Sequence, residues 1–393
     1  MNFTLTTEEE AFLREVRAFL KKEMPSHLIL PIMFSAVDTS DKTIQDEFWK
    51  MARKLGEKGW NSLTWPKEWG GLEASHTMEF MFIEEIMYYG GLGYDVQGVG
   101  HVAPVLLHFG TEQQKRQHLP GIAKGEVNWC QCFSEPESGS DLASMKTRAV
   151  PDGSDFILNG QKVWNSRAHY ADWGHLLART DPEAPKHRGI SYFLVDMRSP
   201  GITINPLDGM YGEQSMCEVF FDNVRVPREN MVGELNQGWQ IAMSLLDLER
   251  ALYMEQVGIG RRVLEMLVKY TNERGLAKKT PSVRQSLADM AIEIEVCRLF
   301  GRRTAWLLDK GVPIPGEGSM CKIAATEWAQ RWADTGMKIL GLYGQLSEDS
   351  ELAQLAGRIQ HWYIRSFGLT IAAGTSEIER TILATRGLGL PRG

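Results

Sequence analysis

DFILNGQKVWNS (155–166) decides how this chain is read. It is rich in β-branched and aromatic residues, poor in strong helix formers, and carries the turn dipeptide Asn159-Gly160, so it predicts a strand. NWCQCF (128–133), MKTRAV (145–150), WGHLLART (173–180), GISYFLVDM (189–197) and CEVFFDNVRV (217–226) read the same way, and Asp152-Gly153 is a second turn signal. A β block is therefore expected over 126–235.

Both flanks change period. TTEEEAFLREVRAFLKKEM (6–24) pairs a Thr cap with early acids and places Phe12, Leu13, Val16, Phe19 and Leu20 on one stripe. IQDEFWKMARKLGEKG (44–59), HTMEFMFIEEIMYYG (76–90), VAPVLLHF (102–109) and TEQQKRQHLPGIA (111–123) continue as helices. After Gly238 long amphipathic helices return, broken around Lys278–Pro281, Pro313–Gly316 and Gly344–Ser350. The expected fold is mostly α with a central β domain: a helical segment 1–125, a β segment 126–235 and a helical segment 236–393.

Composition narrows the function. The 393 residues carry 43 Lys and Arg against 50 Asp and Glu, a formal charge of −7, with no basic run. That argues against nucleic acid or an anionic membrane as partner. No apolar run approaches 18 residues and the N-terminus is polar and acidic, so neither membrane insertion nor a signal peptide is expected. Five irregularly spaced cysteines suit reduced thiols and a cytoplasmic protein, with Cys130 and Cys132 on one strand face. There is no HExxH, no CxxC pair and no P-loop, and GGLGYDVQGVG (90–100) does not fit GxGxxG, so no metal site is expected. His101 and His108 read as structural.

Three stretches carry chemistry. SEPESGSD (134–141) offers backbone N–H groups to a phosphate or a ring edge. NGQKVWNS (159–166) puts Trp164 and Ser166 on one face of an extended strand, a flat aromatic beside a hydroxyl, which suits a flat cofactor with ring nitrogens. The alternative is a hairpin with a core Trp. In SLLDLERALYMEQ (244–256), Glu249 has Leu245, Leu246, Leu252 and Tyr253 at its i±3 and i±4 positions, whereas Asp247 can turn toward water. A carboxylate on an apolar face suits proton abstraction, because burial raises a carboxyl's pKa. The other reading is an ion pair with Arg250 or a neighbouring helix.

With IAAGTSEIERTILATRGLGLPRG (371–393), these stretches resemble the acyl-CoA dehydrogenase family of flavoenzymes. SEPESGSD is similar to the family's TEP-x-x-GSD, NGQKVWNS to NG-x-K-x-W-x-[TS], and GTSEIER to GTSEIQR. The resemblance implies an N-terminal helical domain, a middle β domain and a C-terminal four-helix bundle, with FAD at their junction. It implies that Ser134 meets the flavin ring, Ser140 the pyrophosphate, Trp164 the ring face and Ser166 the region of N5, with Thr375 and Glu377 in a further FAD-binding segment. Many members carry the catalytic Glu just before GTSEI, where this chain has Ala373. A branch places it in a D-x-ER context on the first long C-terminal helix, and Asp247-Leu248-Glu249-Arg250 matches. Glu249 is then the base, with Arg250 and Ala373 on the substrate side and a backbone N–H near the GTSEI motif helping at the thioester oxygen.

Departures bear on assembly. Glu137 and Ser138 replace a small pair, adding a charge to a loop expected to accept an anion. Arg274 stands where the family's R-x-x-F-G contact reaches a neighbour's FAD, but Gly275-Leu276-Ala277-Lys278 follows it, and the Gly-Gly segment is only partly kept in Gly341-Leu342-Tyr343-Gly344. The resemblance implies α,β-dehydrogenation of an acyl-CoA to a trans-2-enoyl-CoA, with electrons passing to electron-transfer flavoprotein. Alternatives are an oxidase using oxygen, or one subunit of a heteromer with mainly an assembly role. A homodimer or homotetramer, or a heterotetramer with a homologous chain, is expected. The base position and the LGLPR ending lean toward branched, dicarboxylic, aromatic or steroid side-chain thioesters.

Overall fold

The computed structural model describes residues 3–25, 42–210 and 214–391, so Arg392 of the LGLPR ending lies outside the described residues. Two compact units emerge, one of residues 34–73 and 93–248, the other of 1–33, 74–92 and 249–393.

The first unit contains an eight-stranded sheet with helices α2 (Lys42–Glu57), α4 (Ala103–Phe109) and α5 (Glu112–Lys124). Its strands are β1 (Trp129–Cys132), β2 (Arg148–Asp152), β3 (Asp155–Ser166), β4 (Trp173–Arg179), β5 (Ile190–Asp196), β6 (Ile202–Leu207), β7 (Met216–Pro227) and β8 (Met231–Val232). They lie in the order β6-β7-β3-β2-β4-β5-β8, with β1 parallel to β4. The residues named at the outset form β3, which pairs antiparallel with β2 and β7. Phe156 and Leu158 alternate inward to a core shared with Phe193, Val195, Val219 and Val224.

Two strands were not expected, β6 and β8, and both end the sheet. β6 is only partly buried and β8 is two residues long, and Pro206 in ITINPL is tolerated at the edge because no inner ladder needs its N–H. Asp152-Gly153 does form the hairpin turn, with Gly153 at φ 64°. Asn159-Gly160 does not turn: it lies inside β3 at a bulge, where the register against β7 shifts between Leu158 and Gly160. A Cβ at Gly160 would sit 2.4 Å from Thr147 Oγ1, so the glycine admits the side chain just before β2. Cys130 and Cys132 share a face with their sulfurs 3.8 Å apart, and all five cysteines are free and buried.

The second unit is helical: α1 (Thr7–Glu23), α3 (His76–Tyr88), α7 (Gln256–Glu273), α8 (Leu276–Lys279), α9 (Pro281–Asp309), α10 (Glu317–Leu340), α11 (Arg358–Leu369) and α12 (Ser376–Ile382). α6 (Gly238–Leu252) runs from the first unit into it in sequence. Thr6 caps α1 reciprocally with Glu9, as the sequence predicts. The three expected helix breaks occur. Two further breaks fall between α11 and α12 and at Tyr253–Glu255, where a 3₁₀ turn separates α6 from α7 within a sequence that reads as continuous helix. Glu84 and Glu85 of α3 sit inside this unit, bound by Arg17, Arg261 and Arg298 from α1, α7 and α9. Among the described residues no helix is long and apolar enough to cross a membrane.

Candidate active site

In the sheet-containing unit, the SEPESGSD loop is anchored from beneath by Glu135. Its carboxylate accepts the N–H groups of Lys146 (2.6 Å) and Thr147 (2.9 Å) and the Lys162 ammonium (2.9 Å), and Lys162 is fully buried on β3. Burial works to raise the Glu135 pKa, but the Lys162 charge and those N–H groups outweigh it and hold the carboxyl below its usual range. The loop surface stays open: Ser134 is half-buried, and Gly139 and Ser140 are exposed. Among the described residues no group accepts a hydrogen bond from the N–H of Ser134, Gly139 or Ser140. Glu137 adds little net charge, because Lys146 pairs with it, as Lys186 pairs with Asp141.

Trp164 follows on β3, and it is not a core residue. It is 64% exposed, sits at φ 63°, and coincides with a second register shift between Val163 and Asn165. A bulky aromatic in left-handed backbone persists only where surrounding structure over-determines it. Here Val163 donates its N–H to Ser134 O (2.9 Å), Asn165 Nδ2 reaches Gln131 O (2.7 Å), and Arg167 N–H donates to Ser215 O (2.7 Å). The bulge interrupts the simple alternation that would put Trp164 and Ser166 on one face. Ser166 is half-buried, its hydroxyl 3.4 Å from Met216 Sδ. Arg167 is buried against Asp95 (3.1 Å), whose other oxygen accepts Gly98 N–H and caps the π-turn Val96–Val102. This brace was not legible in the sequence, since its partners lie 72 positions apart. His101 is buried in that π-turn with Nδ1 3.2 Å from Gln97 Oε1, and His108 Nδ1 lies 2.8 Å from Pro104 O.

In the helical unit, Glu249 is half-buried near the end of α6, its Oε2 shielded from solvent. The expected contrast with Asp247 is absent at the level of burial, for both are half-buried: the helix turns neither face wholly to water. The Glu249 charge acts on Tyr253 and Lys322, so its surroundings are not purely apolar. Arg250 is 4% exposed and pairs with Glu379, Nε to Oε1 at 2.9 Å. Its Nε also lies 3.5 Å from Ala373 O. Lys322 on α10 is fully buried and donates to Gly374 O; burial above all, against the pull of Glu379, lowers its pKa to about 8. Thr375 caps α12, its Oγ1 accepting Ile378 N–H at 3.3 Å, and Glu377 is exposed in that first turn. Arg274 is exposed, stacks 3.9 Å from the Tyr270 ring and donates to Gln354 Oε1 at 2.6 Å. Glu379, Lys322 and Ser319 were missed in the sequence. The one available signal was Glu379 itself, an acid where the family motif GTSEIQR carries Gln.

Helical segments thus stand before and after an eight-stranded sheet, with an open-faced loop and bulge in one unit and a shielded carboxylate in the other. The chain belongs to the acyl-CoA dehydrogenase family: the models described as its N-terminal, middle and C-terminal domains match residues 6–126, 130–224 and 236–388. It is 33% identical to acyl-CoA dehydrogenase FadE26 of Mycobacterium tuberculosis, over 100% of this chain and 99% of that one. Among solved structures it is similar to the Tcur3481-Tcur3483 steroid ACAD, with TM-score 0.89, 30% identity and 100% of both chains covered. The ChsE4-ChsE5 complex from Mycobacterium tuberculosis matches with TM-score 0.85 and 31% identity, again over 100% of both chains.

Proposed function

We propose that the protein dehydrogenates an acyl-CoA thioester between Cα and Cβ to the trans-2-enoyl-CoA, uses FAD, and passes electrons to electron-transfer flavoprotein. Glu249 is the base in this reading. The observation that carries it is the pairing of a shielded carboxylate at Glu249 with Ala at position 373, which leaves the D-x-ER acid as the carboxylate for the task. We also take 1–125, 126–235 and 236–393 as functional segments, and the five free thiols as the mark of a reducing, cytoplasmic setting.

The residues of the sheet-containing unit that are assigned to FAD fit it. Trp164 offers an exposed ring face, Ser134 and Ser166 offer hydroxyls, and the SEPESGSD loop leaves N–H donors at Gly139 and Ser140 for phosphate oxygens. Those residues would hold the cofactor in the sheet-containing unit, and Thr375 and Glu377 are assigned to FAD by the family resemblance alone. When bound, FAD supplies the two-electron acceptor for the β-hydrogen. Glu249 takes the α-proton. Ala373 and its neighbours contribute backbone N–H groups where charge develops on the thioester oxygen, and Arg250 fixes the turn that carries them. Family members named as steroid enzymes support a bulky or branched acyl group.

A second reading, a subunit completed by a homologous partner, rests on Arg274. Its guanidinium is engaged within its own chain by Tyr270 and Gln354 rather than extended toward a neighbour's cofactor. Two similar structures are named as two-chain proteins. Purified protein, alone and co-expressed with candidate homologous chains, should be yellow and should bleach anaerobically with an acyl-CoA from a branched and steroid side-chain panel. Bleaching of the chain alone supports the first reading, and bleaching only with a partner the second. Reoxidation driven by oxygen as fast as by electron-transfer flavoprotein would mark an oxidase. Colourless protein in every arm after FAD reconstitution contradicts the reading.

A further inference from the structure

Ala373 and Gly374 both lie in left-handed backbone, at φ 52° and 99°. Two buried cations reach their carbonyls, Arg250 at Ala373 O and Lys322 at Gly374 O. Isolated cations are costly inside a helical bundle. Glu379 offsets that cost. It is fully buried, pairs with Arg250, accepts Ser319 Oγ at 2.6 Å on its other oxygen, and exerts the strongest attractive charge on Lys322. A Cβ on Gly374 would lie 2.2 Å from Glu379 Oε1, so the carboxylate packs directly against the turn.

Geometry gives this cluster a consequence. In a planar trans peptide the N–H points opposite to the C=O. Drawing the carbonyls of Ala373 and Gly374 toward the cations turns the N–H groups of Gly374 and Thr375 away from the cluster. Among the described residues no group accepts from the N–H of Ala373, Gly374 or Thr375.

We propose that Glu379 is a positioning residue: by holding Arg250 and Lys322 behind the Ala373–Thr375 turn, it aims the turn's N–H groups at the thioester oxygen. The inference rests on the dehydrogenase reading above. Gln at 379 would keep the shape and the Ser319 contact but leave two buried cations facing no charge at that position. Lys322 would then keep only the weaker charge attraction of Glu249 and Glu327 against the repulsion of Arg250.

Two measurements test it, one independent of activity. In Glu379→Gln, and in the Glu379→Gln/Lys322→Met double variant that removes one charge of each sign, hydrogen exchange of the Ser376 and Ile378 amides should accelerate on the order of tenfold or more. Those amides bridge the turn to Thr370 O and Thr375 Oγ1. Asp334→Asn, which breaks an exposed bridge to Lys338 farther along α10, is the control and should leave them unchanged. With FAD-loaded protein and acetoacetyl-CoA as probe, enolate absorbance against pH should show enolisation of the bound probe shifted upward by about one pH unit or more in Glu379→Gln, with affinity for CoA itself within about twofold. Unchanged exchange overturns the proposal whatever the enzyme does. Faster exchange with unshifted enolisation overturns the positioning role. Where the short acetoacetyl chain does not bind, the 3-oxoacyl-CoA of the best panel member serves as probe; a wild type that binds neither overturns the dehydrogenase reading and this role with it, and the exchange data keep that outcome distinct from a rigid turn.

Discussion

Glu255 lies in the turn between α6 and α7, 4% exposed, with Gln256 Nε2 3.2 Å from its Oε1. Burial raises its pKa from 4.5 to about 8, against smaller opposing pulls from Gln256 and Arg365. Between those values the folded protein keeps a proton that the unfolded chain releases. Its contribution to stability is therefore full below about pH 4.5 and is lost as pH rises through about 8, at roughly 1.4 kcal/mol per unit. Glu255→Gln should remove that slope. Urea unfolding should give nearly equal stabilities for variant and wild type at pH 5, and an advantage on the order of 3 kcal/mol for the variant at pH 8.5. Parallel stability curves would contradict this. Single residues were unevenly legible. Glu249 stood out because four apolar neighbours at helical spacing surround it. Glu255 carries no such mark, because MEQVGIG continues a helical pattern and a 3₁₀ turn leaves none of its own. Trp164 was found through its motif, but the left-handed backbone that exposes it comes from pairing with β7, which only the folded sheet reveals.

Among the elements, α3 departs furthest from its sequence appearance. HTMEFMFIEEIMYYG reads as an apolar helix with three acids, yet two of them, Glu84 and Glu85, are inside. Glu84 takes Arg298 Nε and Nη2 at 2.8–3.1 Å and Arg261 at 2.6 Å, and Glu85 takes Arg17 at 2.7 Å. Four helices are thus joined by charge within one unit. Burial works to raise Glu85, but Arg17 and Arg261 outweigh it and lower its pKa. Removing one partner from such a cluster leaves buried charge uncompensated, at a cost of about 3–5 kcal/mol. Glu84→Ala should therefore destabilise by ~3 kcal/mol or more. Glu112→Ala, which loses only exposed bridges to Lys115 and Arg116, should stay within about 0.5 kcal/mol. Equal losses in chemical denaturation would show the buried network to be no stronger than a surface one. Period and turn signals made the inner strands and the helices legible. The edge strands and the two bulges were not, because their form depends on what they pair with.

At the scale of the whole molecule, order of segments and motif spacing were readable from the chain: helices, then sheet, then helices, with matches to the family along 6–126, 130–224 and 236–388. Acyl group and partner were not, since pocket shape and assembly arise from residues scattered through the sequence. Leu342, Ile371 and Leu388 remain 81%, 64% and 68% exposed in the helical unit, which accords with a chain that assembles with another. Everything proposed about its reaction depends on one carboxylate. The most direct test is anaerobic stopped-flow bleaching of FAD-loaded Glu249→Gln by the best acyl-CoA found, in whichever assembly is active, with Asp247→Asn as the matched control. Gln keeps the volume and hydrogen-bonding reach of Glu but takes no proton at neutral pH. Cofactor content should be retained and the reduction rate should fall at least ~10²-fold to 10⁴-fold, while the control stays near wild type. Reduction of the Glu249→Gln flavin at the wild-type rate would contradict the account and place the base elsewhere.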